Sequence, residues 1–215
     1  MLALFAKAPV AGTVKTRLCP PLTPVEAADL YRAMLLDILD QHAAGPSREL
    51  ALWYTPESAR AWFEAHAPDV YRLRPQRGDG LGPRMAAVFR THASEGAGAV
   101  VLRGTDSPTL PLARVEAAFE ALARADLVLC PDLDGGYNLI GLRAPCDGLF
   151  EIPFSTASVL DETLARARAL GLACALLPAH YDIDTASDLD RARPDLDPAS
   201  TPRTLRWLAE RGPAG

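Results

Sequence analysis

Leu2-Ala3-Leu4-Phe5-Ala6 runs directly into Lys7-Ala8-Pro9-Val10-Ala11-Gly12-Thr13-Val14-Lys15-Thr16-Arg17-Leu18. Five consecutive apolar residues predict a strand buried on both faces, and the Pro/Gly segment over residues 8–24 predicts a loop leaving its carboxyl end. Thr23 then caps a helix over 24–39, with Pro24 and Glu26 in its first turn. The same alternation continues down the chain. Strands are predicted at 50–54, 70–73, 99–102, 127–130, 138–142 and 173–177. Helices are predicted at 57–66, from the Gly-rich loop at 78–82 through 94, and at 112–124 and 157–170. Short helices follow residue 186, including 204–210, and the Pro-rich stretch at 194–202 predicts a surface connection. Buried strands alternating with helices imply an α/β fold, a mostly parallel central sheet flanked by helices, as one unit over residues 1–215.

The bulk numbers narrow the function. Of 215 residues, 49% are hydrophobic and 23% charged, which excludes disorder. A net charge of −5 argues against a nucleic-acid partner. The 22 basic residues include two lysines, Lys7 and Lys15, both in the opening loop. A compact ammonium and a guanidinium are not interchangeable, so that placement points to a site. Cys19, Cys130, Cys146 and Cys174 are far apart, which fits neither a zinc ribbon nor a redox pair. With no signal peptide and no apolar run of about eighteen residues, a cytoplasmic protein with reduced thiols and no membrane span is expected, Cys130 and Cys174 serving as core packing.

In parallel sheets ligands sit at the carboxyl ends of strands, so the loops there carry the chemistry. In the first loop, Lys7, Lys15 and Arg17 with backbone N–H groups around Gly12 form an anion cradle suited to a diphosphate. It is similar to a Walker A loop, but Val14 stands where that motif needs Gly before the Lys. The second loop, Gly104-Thr105-Asp106-Ser107-Pro108, places Asp106 where a divalent cation could meet phosphate oxygens, although Asp106 could equally be an Asx-turn or helix cap. The third, Asp132-Leu133-Asp134-Gly135-Gly136-Tyr137, allows close backbone approach, with Asp134 as a hydroxyl, metal or proton acceptor; a tight Asp-Gly turn is the alternative. The fourth, Tyr181-Asp182-Ile183-Asp184-Thr185, offers Asp184 as a second metal carboxylate beside Asp106, or Asp184 or Thr185 as a helix cap. Weaker features are Gly78 to Gly82 before Arg84-Met85, with Gly82 facing a nucleotide, Phe154-Ser155-Thr156, and His180 near the acidic segment.

Two resemblances follow. Leu129 to Gly135 resembles the nucleophile motif of haloacid-dehalogenase-type phosphatases, but that family needs a downstream Lys and none follows Lys15. The four loops taken in order resemble a bacterial family of GT-A-like nucleotide-diphospho-sugar transferases, and share their layout with small nucleotidyltransferases. The resemblance implies a Rossmann-like GT-A fold, a nucleotide-activated donor and Mg²⁺ or Mn²⁺. It implies Lys7, Lys15 and Arg17 on donor phosphates, Asp106 and Asp184 on the metal, and Asp134, Gly135, Gly136 and Tyr137 on the sugar or acceptor side, with Ser155 and Thr156 nearby. Ala11 stands where the family has Pro, Ala186-Ser187 where it has Pro-Glu, and Phe154 where it has Trp.

The expectation is a metal-dependent glycosyltransferase using a nucleoside-diphosphate sugar and a small-molecule acceptor, with Asp106 and Asp134 as its catalytic carboxylates. The alternative is a nucleotidyltransferase joining a nucleoside triphosphate to a phosphorylated small molecule with release of pyrophosphate, for which no general base is essential. A non-catalytic nucleotide-binding protein is the third class.

Overall fold

The computed structural model describes residues 1–45 and 48–211. Among them, seven strands form one sheet in the order β3-β2-β1-β4-β6-β5-β7. The strands are β1 (Leu2–Lys7), β2 (Leu50–Thr55), β3 (Tyr71–Pro75), β4 (Val100–Gly104), β5 (Leu127–Pro131), β6 (Tyr137–Leu142) and β7 (Cys174–Leu176). All neighbours run parallel except β6, which is antiparallel to both β4 and β5. Only residues 132–136 separate β5 from β6, too few for a crossover, so the chain must turn back as a hairpin. The Asp-Gly segment of the third loop is that hairpin.

The helices are α1 (Pro24–Ala43), α2 (Arg60–His66), α3 (Leu81–Ser94), α4 (Leu112–Leu122), α5 (Val159–Ala169), α6 (Ala186–Ala192) and α7 (Pro202–Arg211). α1 begins where the sequence places it: Thr23 and Glu26 form a reciprocal capping box that satisfies two otherwise unpaired N–H groups. It runs four residues beyond the expected Leu39, because His42 is still buried and keeps the inner face in register. The expected helix at 57–66 is instead a 3₁₀ turn, Glu57–Ala59, followed by α2. α5 starts two residues later than expected, since residues 155–158 belong to a loop against the hairpin.

Both faces of the sheet are covered. On one face, Leu35, Ile38 and Leu39 of α1, Phe63 of α2 and Val115 and Leu122 of α4 pack on Leu4, Leu52, Val101 and Val128. On the other, Met85, Val88 and Phe89 of α3 and Ala167 of α5 pack on Trp53, Leu102, Leu129 and Ile140. Cys130 is buried as expected, whereas Cys174 is exposed because β7 is a three-residue edge strand with little covering it.

A third core matters most for the site. Leu30 and Met34 on the back of α1 meet Leu189 of α6 and Trp207 and Leu208 of α7. The same cluster takes in Leu18 from the loop after β1 and Tyr181 and Ile183 from the acidic segment before α6. Two loops about 165 residues apart in sequence are therefore pinned to one helix. Within this core Asp37 of α1 is fully buried and accepts hydrogen bonds from Thr204 N (2.8 Å), Thr204 Oγ1 (2.8 Å) and Arg203 N (3.1 Å), capping α7 from another helix. No local sequence pattern marks that cap.

Removing the Asp37 carboxylate leaves buried donors unpaired, each costing about 1–3 kcal/mol. Asp37→Ala is expected to lose about 3 kcal/mol of stability, read as a lower urea midpoint; an unchanged midpoint would show that α7 is not held this way.

Candidate functional site

β1, β4 and the acidic segment converge on a cleft of about 880 Å³ at the carboxyl edge of the parallel strands. Its lining takes in Lys7, Lys15 and Arg17 from the first loop, Asp106 from the second, Asp132, Asp134, Gly136 and Tyr137 from the third, and Asp182 and Asp184 from the fourth. Ser155 and Thr156 line it as well, as do Gln76, Arg84 and Asn138. Gly12, Gly82 and Gly135 do not.

Lys15 is the centre of the arrangement. Its side chain is 2% exposed, and its ammonium contacts Asp106 Oδ1 and lies 2.9 Å from Asp184 Oδ1. Arg17 Nη1 takes the other Asp184 oxygen at 3.2 Å. Burial alone depresses a lysine, but Asp106, Asp184 and Asp182 outweigh it here, and the Lys15 ammonium is held well above its ordinary value. The structure thus brings Asp106 and Asp184 together on one ammonium, that of Lys15. Lys15 itself was expected on donor phosphates beside Lys7, yet Lys7 is exposed while Lys15 is enclosed. Its backbone takes φ +49, a left-handed position that β-carbon-bearing residues occupy at a cost, and such strain concentrates at functional sites.

Backbone contacts tie the carboxylate-bearing loops together. Ile183 N donates to Asp106 O at 2.9 Å, and Ser107 Oγ donates to Tyr181 O at 2.6 Å. Thr185, not Asp184, caps α6, in a capping box with Asp188. That leaves the Asp184 carboxylate to the cleft. Likewise the Asp106 carboxylate goes to Lys15 instead of closing an Asx-turn. Behind the loop, the fully buried Arg103 donates through Nη2 to Ser107 O at 2.7 Å and meets His42 Nε2 through Nη1. Burial lowers Arg103 to about 10, and burial followed by Arg103 lowers His42 to about 3, so the ring is neutral and can accept from the guanidinium. Tyr31 Oη, from α1, bonds Thr105 Oγ1 at 2.8 Å and accepts from Lys7 N at 3.1 Å, joining the ends of β1 and β4.

Asp182 and Asp132 are residues to which the sequence assigns no role. Asp182 is an intermediate residue overall, but its Oδ1 is sealed from solvent and has no hydrogen-bond partner among the described residues. Burial first, then the charges of Asp106 and Asp132, raise it well above the carboxylate range. Burial and the neighbouring Asp134 raise Asp132 as well. Alternation along Asp182-Ile183-Asp184 signals that these two carboxylates share a side; both residues are half-buried, with Asp182 Oδ1 sealed and the Asp184 side chain partly open to the cleft. Gln76 is a further lining residue to which the sequence assigns no role. Its Nε2 donates to Ala6 O and Trp53 O, both at 3.0 Å, which fixes Oε1 as an acceptor.

Several assigned residues play other parts. Asp134 Oδ1 accepts from Gly136 N at 3.0 Å in the hairpin, and the residue is exposed at the cleft rim. Tyr137 lines the cleft, but its hydroxyl is buried, and burial raises it to about 12. Gly12 takes φ +78 in an exposed turn. A β-carbon on Gly82 would come 2.6 Å from the Phe154 ring and 2.7 Å from Phe150 O, so Gly82 exists for packing. A β-carbon on Gly135 would come 2.0 Å from Ala157 O, so that glycine lets the hairpin touch the loop before α5. Ser155 takes φ +65 in that loop and faces the cleft with Thr156. His180 bonds Thr109 Oγ1 at 3.0 Å outside the lining, and burial lowers it to about 4.

Comparison with known proteins now bears on this geometry. Residues 38–156 match the family described as "Uncharacterized protein conserved in bacteria", DUF2064. The chain belongs to this family. A 3-phospho-D-glycerate guanylyltransferase of Phenylobacterium zucineum is 35% identical, covering 91% of this chain and 90% of that protein. A 2-phospho-L-lactate guanylyltransferase of Haloarcula marismortui is 30% identical, covering 95% and 90%. A crystal structure of a provisionally assigned nucleotide-diphospho-sugar transferase from Desulfovibrio desulfuricans superimposes with a TM-score of 0.89 at 32% identity, covering 98% and 94%. This DUF2064 chain therefore has the Rossmann-like fold of the nucleotide-diphospho-sugar transferases, as expected, and the two relatives above bear guanylyltransferase names. The comparisons favour the second of the two transferase readings over the glycosyltransferase. Among the described residues no helix is long and apolar enough to cross a membrane.

Gly82→Ala and Gly135→Ala are expected to lower the melting temperature by about 5 °C or more, since backbone atoms must shift to admit the methyl group. Unchanged melting with selectively weaker nucleotide binding would return both glycines to the ligand.

Proposed function

We propose that this chain is a nucleotidyltransferase that joins a nucleoside triphosphate to a phosphorylated small carboxylic acid and releases pyrophosphate. The observation that carries the reading is the meeting of Lys7, Lys15 and Arg17 with Asp106 and Asp184 at one strand edge, in a chain 35% and 30% identical to two guanylyltransferases. An oxygen of the acceptor phosphate attacks the α-phosphorus, the bond from the α-phosphorus to its bridging oxygen breaks, and pyrophosphate leaves. The acceptor phosphate is already ionised, so the attack needs no side-chain base. That suits Asp134, whose carboxylate closes a turn at the rim. Lys7, Lys15 and Arg17 supply positive charge for the polyphosphate.

Among the described residues no three His, Cys, Asp or Glu side chains form a closed metal cage. Two carboxylates completed by phosphate oxygens and water are nonetheless the usual surroundings of Mg²⁺, and Asp106 and Asp184 are 44% and 33% exposed at their side chains. These two residues would hold Mg²⁺ or Mn²⁺, which when bound neutralises charge on the polyphosphate. On the wall formed by β3 and α3, the fixed acceptor Oε1 of Gln76 suits an N–H donor on a nucleobase edge, such as guanine N1–H or its exocyclic amine.

The test is pyrophosphate release with the four triphosphates, each paired with 3-phosphoglycerate, 2-phospholactate or phosphoenolpyruvate, alongside UDP- and GDP-sugars. Pyrophosphate release with GTP and one of the phosphorylated acids is expected, with no sugar released. Sugar transfer without pyrophosphate formation would reverse the assignment. Asp106→Asn is expected to cut kcat by roughly 10²–10³-fold.

A further inference from the structure

The ammonium of Lys15 occupies the same carboxylate oxygens that would receive a divalent cation. It is enclosed, in contact with Asp106 Oδ1 and 2.9 Å from Asp184 Oδ1. We propose that Lys15 is a resident counter-cation of the Asp106–Asp184 pair, which a divalent cation must displace and which the nucleotide's phosphates then receive. The inference rests on the assignment of that pair as metal ligands. Its consequence is that metal and nucleotide bind as a unit: the free protein takes up metal weakly, and each ligand strengthens the other equally, as linkage requires.

Three observations carry the idea beyond a simple ion pair. First, the backbone at Lys15 is anchored. Leu18 is fully buried in the core shared by α1, α6 and α7, and Leu18 N donates to Lys15 O at 3.0 Å. Displacement therefore falls to the flexible four-carbon side chain. Second, the residue lines the cleft along with Lys7, Thr13 and Thr16, so an ammonium leaving the carboxylates remains facing the space where the polyphosphate is placed. Third, Lys15 is the enclosed cation of a cleft that gathers Asp106, Asp132, Asp134, Asp182 and Asp184, whereas Lys7 and Arg17 are exposed. Lys15 thus keeps an acidic, metal-ready site folded at the cost of occupying it.

The chain's two lysines make the displacement directly readable. Lysine acylation followed by peptide mass spectrometry should find Lys15 protected and Lys7 labelled in the free protein. Saturating Mn²⁺ should raise Lys15 labelling at least fivefold, and Mn²⁺ with GTP should restore protection. Calorimetric titration of Mn²⁺ into nucleotide-free protein should give at least tenfold tighter binding for Lys15→Met than for wild type, while Lys15→Arg stays weak. Equal or weaker Mn²⁺ binding by Lys15→Met overturns the proposal, as does Lys15 protection that bound Mn²⁺ leaves unchanged. If Lys15→Met does not fold, the wild-type labelling decides. If neither wild type nor Lys15→Met binds Mn²⁺ even with GTP present, the assignment of Asp106 and Asp184 as ligands fails, and the displacement with it.

Discussion

The contact of the Lys15 ammonium with Asp106 and Asp184 is the constraint around which the cleft is built. Five carboxylates line the cleft, and two of them are already pushed toward their neutral forms, Asp132 by burial and Asp134, Asp182 by burial, Asp106 and Asp132. A single enclosed cation makes that density of negative charge tolerable. It also joins three distant pieces of chain: the loop after β1, the loop after β4 and the segment before α6. Ion pairs at exposed surfaces contribute little, but an enclosed lysine that lost its partners would leave a buried uncompensated charge.

The surrounding packing keeps those pieces in place. Leu18, Tyr181 and Ile183 are buried together against the back of α1, and the same helix sends Asp37 to cap α7 and Tyr31 to bridge the ends of β1 and β4. Beneath the second loop, Arg103 holds Ser107, whose hydroxyl in turn holds Tyr181. The acidic segment is therefore aligned by backbone and hydroxyl contacts that do not involve its carboxylates. This leaves the Asp106 and Asp184 carboxylates facing the cleft, while Thr185 and Asp188 form the capping box that begins α6.

The same frame explains why one fold accommodates both transferase readings. A parallel sheet with a cationic loop after its first strand and carboxylates across from it brings both signs of charge to one cleft. The two readings differ in the bond that breaks, anomeric C–O for a glycosyl group and Pα–O for a nucleotidyl group, and in the acceptor each names. A hydroxyl nucleophile needs a base, whereas a phosphate does not, and the one carboxylate that the sequence nominates as base is engaged in a hairpin at the rim.

The sequence alone determined the layered α/β class, the strand and helix order, the capping of α1, and the four loops that meet at the cleft. Those features follow from local rules: apolar period, Pro and Gly placement, and capping residues. It also singled out Lys15, Asp106 and Asp184, because lysines are so scarce and because carboxylates stand just after strands. Only the tertiary structure decided that Lys15 pairs with both carboxylates, that Gly82 and Gly135 serve packing, that the Tyr137 hydroxyl is buried, and that Asp37, Arg103 and Gln76 hold the frame from a distance. Each of those depends on contacts between residues far apart in the chain. No period or motif encodes a partner that is near only after the sheet has closed and the helices have packed.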